Sequence, residues 1–217
     1  MSETKFRKIN NLLGWLVFSV ALITYSLTVE PTASYWDAGE YISTSAKLQV
    51  GHPPGAPLYQ MLGAVFSLFA TNTEKIALAV NFLSVVSSAF VILFLFWSIT
   101  LLLRKIYDIS DKKSSKNILL SAVIGSLAYT FSDSFWYSAV ESEVYALAMF
   151  FLAATFWLGL RWEKDFDTER GDKWLVLISF MIGLSFGVPF MAILTIPAIG
   201  MIYFFKKYKK ITVKSFL

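Results

Sequence analysis

Hydrophobic positions in this chain gather into long uncharged runs, separated by short polar segments in which nearly all the charge is concentrated. The runs predict helical spans at 10–29, 76–103, 117–132 and 143–160, and a further uncharged stretch covers 174–205. A helix needs about 20 apolar residues to cross a bilayer, so the first two runs suffice and the last is too long for one crossing. Pro189 removes a helix donor and disfavours helix in the residue before it, which divides the last stretch into 174–188 and 190–205. The expectation is an all-α, polytopic helical membrane protein, one module over 1–217 with a first external loop at 30–75.

Charge orients these spans. Lys5, Arg7 and Lys8 precede the first span, Arg104, Lys105, Lys112, Lys113 and Lys116 follow the second, and a mixed-charge loop separates the fourth and fifth. Lys206, Lys207, Lys209, Lys210 and Lys214 follow the last. The positive-inside rule puts all four segments in the cytoplasm, so both termini are cytoplasmic and six crossings result. A single tilted helix over 174–205 is the alternative, and it would strand the last lysines outside. The first apolar run exceeds the 7–15 residues of a signal-peptide core, so it predicts a retained anchor.

Composition agrees: 56% of the 217 residues are hydrophobic and 16% charged, against about 25% charged in soluble domains. The absence of cysteine excludes disulfides, thiolate catalysis and thiolate metal sites. The net charge of +4 follows from topology and calls for no nucleic-acid partner.

Segment 30–75 is the long interruption between spans, with carboxylates, the single histidine and a run of prolines and glycines. The pattern predicts a short helix over 38–50 with Gly51 as its stop, and a second from Pro57 to about Ala70, lying at the membrane surface. Asp37-x-x-Glu40 and Ser138-x-x-Glu141 both match a capping box, in which an N-cap side chain and a carboxylate three residues later satisfy each other's amides. Glu143 is expected further into the fourth span, where a carboxylate needs a polar cavity or a partner. Trp36 and Tyr35 suit an interfacial aromatic belt. His52 with Pro53 and Pro54 predicts a stiff, extended wall for a substrate. One histidine is weak evidence for a metal site, so no metal ligand is assigned, and a divalent metal has no support beyond it. Asp165-Phe166-Asp167 matches a metal-holding Asp-x-Asp pattern but reads as a solvated loop.

Trp36-Asp37-Ala38-Gly39-Glu40, His52-Pro53-Pro54-Gly55-x-Pro57-Leu58 and Phe135-Trp136-x4-Glu141-x-Glu143-Val144-Tyr145 together resemble one family. It is the membrane-protein family called domain of unknown function 2723, related to protein O-mannosyltransferases and part of the GT-C superfamily of glycosyltransferases. At Pro189 this chain departs from the histidine the family often carries there. The resemblance implies a GT-C fold with interfacial helices in the first external loop. It also implies transfer of a sugar, a hexose such as mannose, from a polyprenyl-phosphate donor to Ser or Thr hydroxyls of a protein acceptor on the outer face. Asp37 would be the catalytic base with Glu40 in support. His52, Pro53, Pro54, Glu143, Tyr145 and Trp36 would bind substrate, and no further cofactor is implied. A multi-pass protein of a bacterial cytoplasmic membrane, rather than the endoplasmic reticulum, is expected. Family members are usually longer, so this chain would hold one part of such an enzyme. A transporter or flippase-like protein, with Asp37 and Glu143 lining a polar path, and a noncatalytic membrane assembly partner remain the alternatives.

Overall fold

In a computed structural model that describes residues 1–168, 171–189 and 191–208, the chain is helical throughout, with no strand among the described residues. Three helices are long and apolar enough to cross a bilayer: α1 (Glu3–Thr28), the stretch Thr73–Ile106 containing α4 (Ile76–Ile106), and α7 (Val144–Lys164). α2 (Ala38–Lys47) and α3 (Pro57–Ser67) lie between the first two. α5 (Lys112–Thr130) and α6 (Asp133–Ala139) form a pair bent by 67° that together also reaches crossing length. α8 (Gly171–Ser185) and α9 (Thr195–Lys207) follow, joined through a 3-10 turn at Met191–Leu194.

α4 is the central post, packing against α1, α5, α7 and α3. Its inner side is small as well as apolar, with Ser84, Ser87, Ser88 and Ala89 buried beside Val85, Ile92 and Phe96. Small residues let helix backbones approach in a bundle where lipid offers no hydrophobic drive for association. α1 meets α4 at Gly14, where an added Cβ would stand 2.6 Å from the Trp97 indole nitrogen. One apolar cluster, including Val17, Tyr25, Ile92 and Phe135, fills the space among α1, α4, α5 and α6. A second, of Tyr41, Tyr59, Leu83, Leu147, Phe151 and Val188, forms a floor beneath the loop segment 30–75.

Several sequence expectations are corrected in detail. α2 ends at Lys47 rather than at position 50: Leu48 turns left-handed at φ 49°, and the amides of Leu48 and Gln49 close onto the carbonyls of Ser45 and Thr44. This is an αL termination made without glycine. α3 likewise stops at Ser67. α5 begins at Lys112 because Asp111 caps it, accepting from the amides of Lys113 and Ser114. α8 and α9 have 15 and 13 residues, each short of an ordinary span. Phe190, Lys209, Lys210 and Lys214 lie outside the described residues.

Candidate functional site

The site is built where the ends of α1, α4 and α7 meet the first long loop. α2 starts directly after Asp37, but the expected capping box does not form: Asp37 has helical backbone angles (φ −85°, ψ −1°) and its side chain caps no amide. An N-cap side chain reaches back onto the helix only from an extended backbone, so here the Asp37 carboxylate is released to the outside. Glu40 is also turned away from α2. Its Oε1 accepts the His52 backbone N–H at 2.6 Å, and its Oε2 lies 3.0 Å from His52 Nδ1.

Position 51 makes that approach possible. A Cβ on Gly51 would lie 2.7 Å from Gln60 Nε2 and 3.0 Å from Glu40 Oε1. His52-Pro53-Pro54-Gly55 is a tight β-turn rather than an extended wall, with the Gly55 amide donating to the His52 carbonyl at 2.8 Å and Gly55 at φ +80°. Pro57 opens α3, and the Leu58 amide, an otherwise unpartnered donor at a helix start, donates to the Gly187 carbonyl at 2.9 Å. The turn after α8 thus pins the start of α3. α2 and α3 close on each other at Gly63, where an added Cβ would come within 2.4 Å of Ser45 Oγ.

His52 Nε2 points toward Asp37, 3.9 Å from Oδ2, so one imidazole is held between two carboxylates. The Glu40 hydrogen bond and charge raise the His52 pKa, and the two His52 hydrogen bonds, backbone first, lower that of Glu40. The signs define a window. The pair is fully charged above the ordinary carboxylate range and below the ordinary imidazole range. It is lost as pH falls through the lowered Glu40 value or rises through the raised His52 value. Oxygens of Asp37 and Glu40 and a ring nitrogen of His52 all lie within 4.8 Å of one another, a spacing that a divalent cation could share. The three side chains already satisfy one another in part, and no buried donor among them is left without a partner.

Behind this exposed trio lies a buried layer. Tyr41 stacks edge-on to Tyr59 at 5.4 Å and faces the His52 ring at 6.3 Å. Burial, then the charges of Glu143, Asp37 and Glu40, push its hydroxyl up to about 12. Glu143 is not inside the fourth span, as its position suggested, but stands as the N-cap residue one position ahead of α7, 8% exposed. Burial first, and then the charges of Glu141 and Asp37, raise its carboxyl to about 7. The Ser138–Glu141 capping box is absent too. Ser138 sits within α6 bonding to Ser134, and Glu141 is a buried loop carboxyl raised by burial, beside Ser34 and Tyr137. Glu141 also edges a cavity of about 460 Å³ with Glu30, Ser34, Tyr35 and Tyr137.

The residue that ties these loops together was not singled out by the sequence. Asn81, 1% exposed on α4, donates through Nδ2 to the carbonyls of Glu30 at 2.6 Å and Thr32 at 3.0 Å, and its Oδ1 accepts from Ser142. An amide inside an otherwise apolar span was the available signal, because such a group is costly unless every polar atom is paired. Trp36 (φ 59°) and Tyr145 are exposed rim residues, at 87% and 49%. Asp165, far from this cluster, holds the Trp174 indole N–H at 2.9 Å and belongs to the packing of α7 on α8.

Residues 37–212 match the profile of the family described as the Protein O-mannosyl-transferase TMEM260 N-terminal domain. The chain belongs to this family. It is 28% identical over 182 residues to "Protein O-mannosyl-transferase tmem260" of Dictyostelium discoideum, covering 78% of this chain and 21% of that protein. To "Protein O-mannosyl-transferase TMEM260" of Mus musculus it is 26% identical over 170 residues, covering 78% of this chain and 22% of the relative. The chain therefore spans about a fifth of the length of these relatives. No solved structure matches it.

Proposed function

We propose that this chain forms the N-terminal membrane part of a GT-C-type protein O-glycosyltransferase that takes a hexose, mannose being the first candidate, from a polyprenyl-phosphate donor. The acceptor is a Ser or Thr hydroxyl of a protein, and transfer occurs on the outer face. The relatives' names, protein O-mannosyl-transferase, support a mannosyl group and a protein acceptor. The observation that carries the reading is the release of the Asp37 carboxylate from its cap, into an exposed position beside a fixed imidazole.

Asp37 Oδ2 accepts the proton of the acceptor hydroxyl as that oxygen bonds to the anomeric carbon. The anomeric C–O bond to phosphate breaks with its electron pair, polyprenyl phosphate departs as an anion, and the configuration inverts. The proton leaves Asp37 to water. A phosphate leaving group needs little protonation, so a single base suffices, as in the base half of an inverting glycosidase. Glu40 is the positioning residue that holds His52, and His52, cationic below its raised pKa, faces the departing phosphate. Exposed Met61, Val65, Leu68 and Phe69 along and beyond α3 supply the apolar surface along which the lipid tail and bilayer interface run.

The test is transfer from a panel of polyprenyl-phosphate sugars to a Ser/Thr peptide by the protein in membranes, read by mass increase of the peptide. Hexose transfer from one donor is expected. No transfer from any donor, with lipid binding intact, contradicts the reading.

A further inference from the structure

At the end of the bundle opposite Asp37, the N-terminal half of α1 and the C-terminal parts of α4 and α7 line an open cavity of about 530 Å³. Arg7, Arg104, Arg161 and Lys164 line it, with Glu3 as the one carboxylate. Glu3 is committed to Arg104, accepting at 2.8 Å through both oxygens. Arg7, Arg161 and Lys164 form no ion pair among the described residues, so the cavity carries uncompensated positive charge. Its wall is aromatic: Trp97 lies against Trp157 at 5.4 Å and Trp15 at 6.1 Å, and the Arg161 guanidinium stacks over Trp157 and Trp174.

Basic residues at helix ends also arise simply from membrane topology and from the negative ends of helix dipoles. Such residues reach into water and leave no buried donor. Here Arg161 Nε, Trp97 Nε1 and Asn10 Oδ1 are buried without a hydrogen-bond partner among the described residues, and each belongs to a residue lining this cavity. Asn10 Oδ1 is an acceptor and the Trp97 indole nitrogen packs against α1 at Gly14, so the Arg161 donor is the atom that calls for an acceptor here. A buried donor left unpaired costs about 1–3 kcal/mol. Leu12, Trp15 and Leu16 are exposed on the adjoining face of α1, an apolar track leading from the cavity along the helix.

We propose that this cavity is a binding site for the phosphate headgroup of an anionic phospholipid in the leaflet opposite the acidic site. The phosphate oxygens accept from the Arg161 and Arg7 guanidinium groups, and the acyl chains lie on the Leu12–Leu16 track. A guanidinium fork matches phosphate geometry, and tryptophans suit the headgroup level.

Native mass spectrometry of the protein released from nanodiscs tests this directly. Dioleoyl phosphatidylglycerol should be retained and dioleoyl phosphatidylcholine should not. Arg161→Gln and Arg7→Gln should each lower retention about fivefold, the worth of one basic residue at an anionic lipid surface, while Lys116→Gln, an exposed lysine of α5, should leave it unchanged. Equal retention of the two lipids, or equal loss in all three variants, would overturn the proposal, because general surface charge would then explain binding. Inorganic phosphate in a thermal-shift assay separates the sources: protection matching that of soluble dihexanoyl phosphatidylglycerol at equal concentration would mean a free-phosphate site and also overturn it. Arg161→Lys, which keeps the charge and loses the fork, should show intermediate retention, and it serves if the glutamine variant does not fold.

Discussion

The two ends of the same three helices solve opposite problems. At the Asp37 end, carboxylates outnumber cations. Glu40 is held by the His52 amide and imidazole, with Asp37 on the imidazole's far side, and a buried amide side chain fixes the loop carbonyls beside them. At the other end, cations outnumber carboxylates and rest on aromatic rings, with close ion pairs from Arg104 to Glu3 and from Lys105 to Glu163. Hydrogen bonds fix direction and distance, whereas ring faces give a soft, broad attraction. The acidic end is therefore organised for defined geometry, as positioned chemistry requires. The basic end is organised for holding charge at a lipid surface.

The sharpest way to break the contrast is Asn81→Leu. It strands the carbonyls of Glu30 and Thr32 and the Ser142 hydroxyl at the acidic end, and should cost about 3–5 kcal/mol by denaturant or thermal unfolding. Glu143→Gln should act with a pH signature. The Glu143 carboxyl is raised to about 7, so the native state binds its proton more tightly than the unfolded chain. That contribution is complete below the ordinary carboxylate range and lost as pH rises toward 7. The variant should thus be more stable than the native protein at pH 8, by at most about 3 kcal/mol, with the gap closing near pH 4.5 in a pH series of melting curves.

Gly51→Ala pushes on Glu40 and Gln60 together. It should cost about 1–2 kcal/mol and shift the His52 imidazole titration, followed by NMR, toward its ordinary value. Arg104→Gln at the basic end should be the mildest, below about 1 kcal/mol, because its ion pair with Glu3 is part-exposed and screened. A large loss there would show that the two ends are held alike.

Much of the helical plan was legible in the sequence, because uncharged runs of span length have few other readings. α1 (Glu3–Thr28), α4 (Ile76–Ile106) and α7 (Val144–Lys164) are helices where the runs 10–29, 76–103 and 143–160 predicted helix, with α1 starting earlier and α4 and α7 running further. The cluster of Asp37, Glu40 and His52 was also legible, since proline and glycine punctuation bring 40 and 52 back together. What the local pattern misjudged was capping. Both boxes match in spacing, yet capping depends on backbone angles that the tertiary contacts of Glu40 and Glu141 override. The extended proline run failed for a similar reason, because the turn is set by the Glu40 clamp on His52 and by the tether of Leu58 to Gly187. Asn81 stayed hidden because its three partners come from segments some 50 to 60 positions away, which no local window contains.

The central claim, that Asp37 removes the acceptor proton, is tested most directly by single-turnover transfer from polyprenyl-phosphate mannose with Asp37→Asn, alongside donor binding. The account predicts a fall of about 10²–10⁴ in the rate of transfer, with donor affinity unchanged. Transfer at the native rate by Asp37→Asn would contradict it.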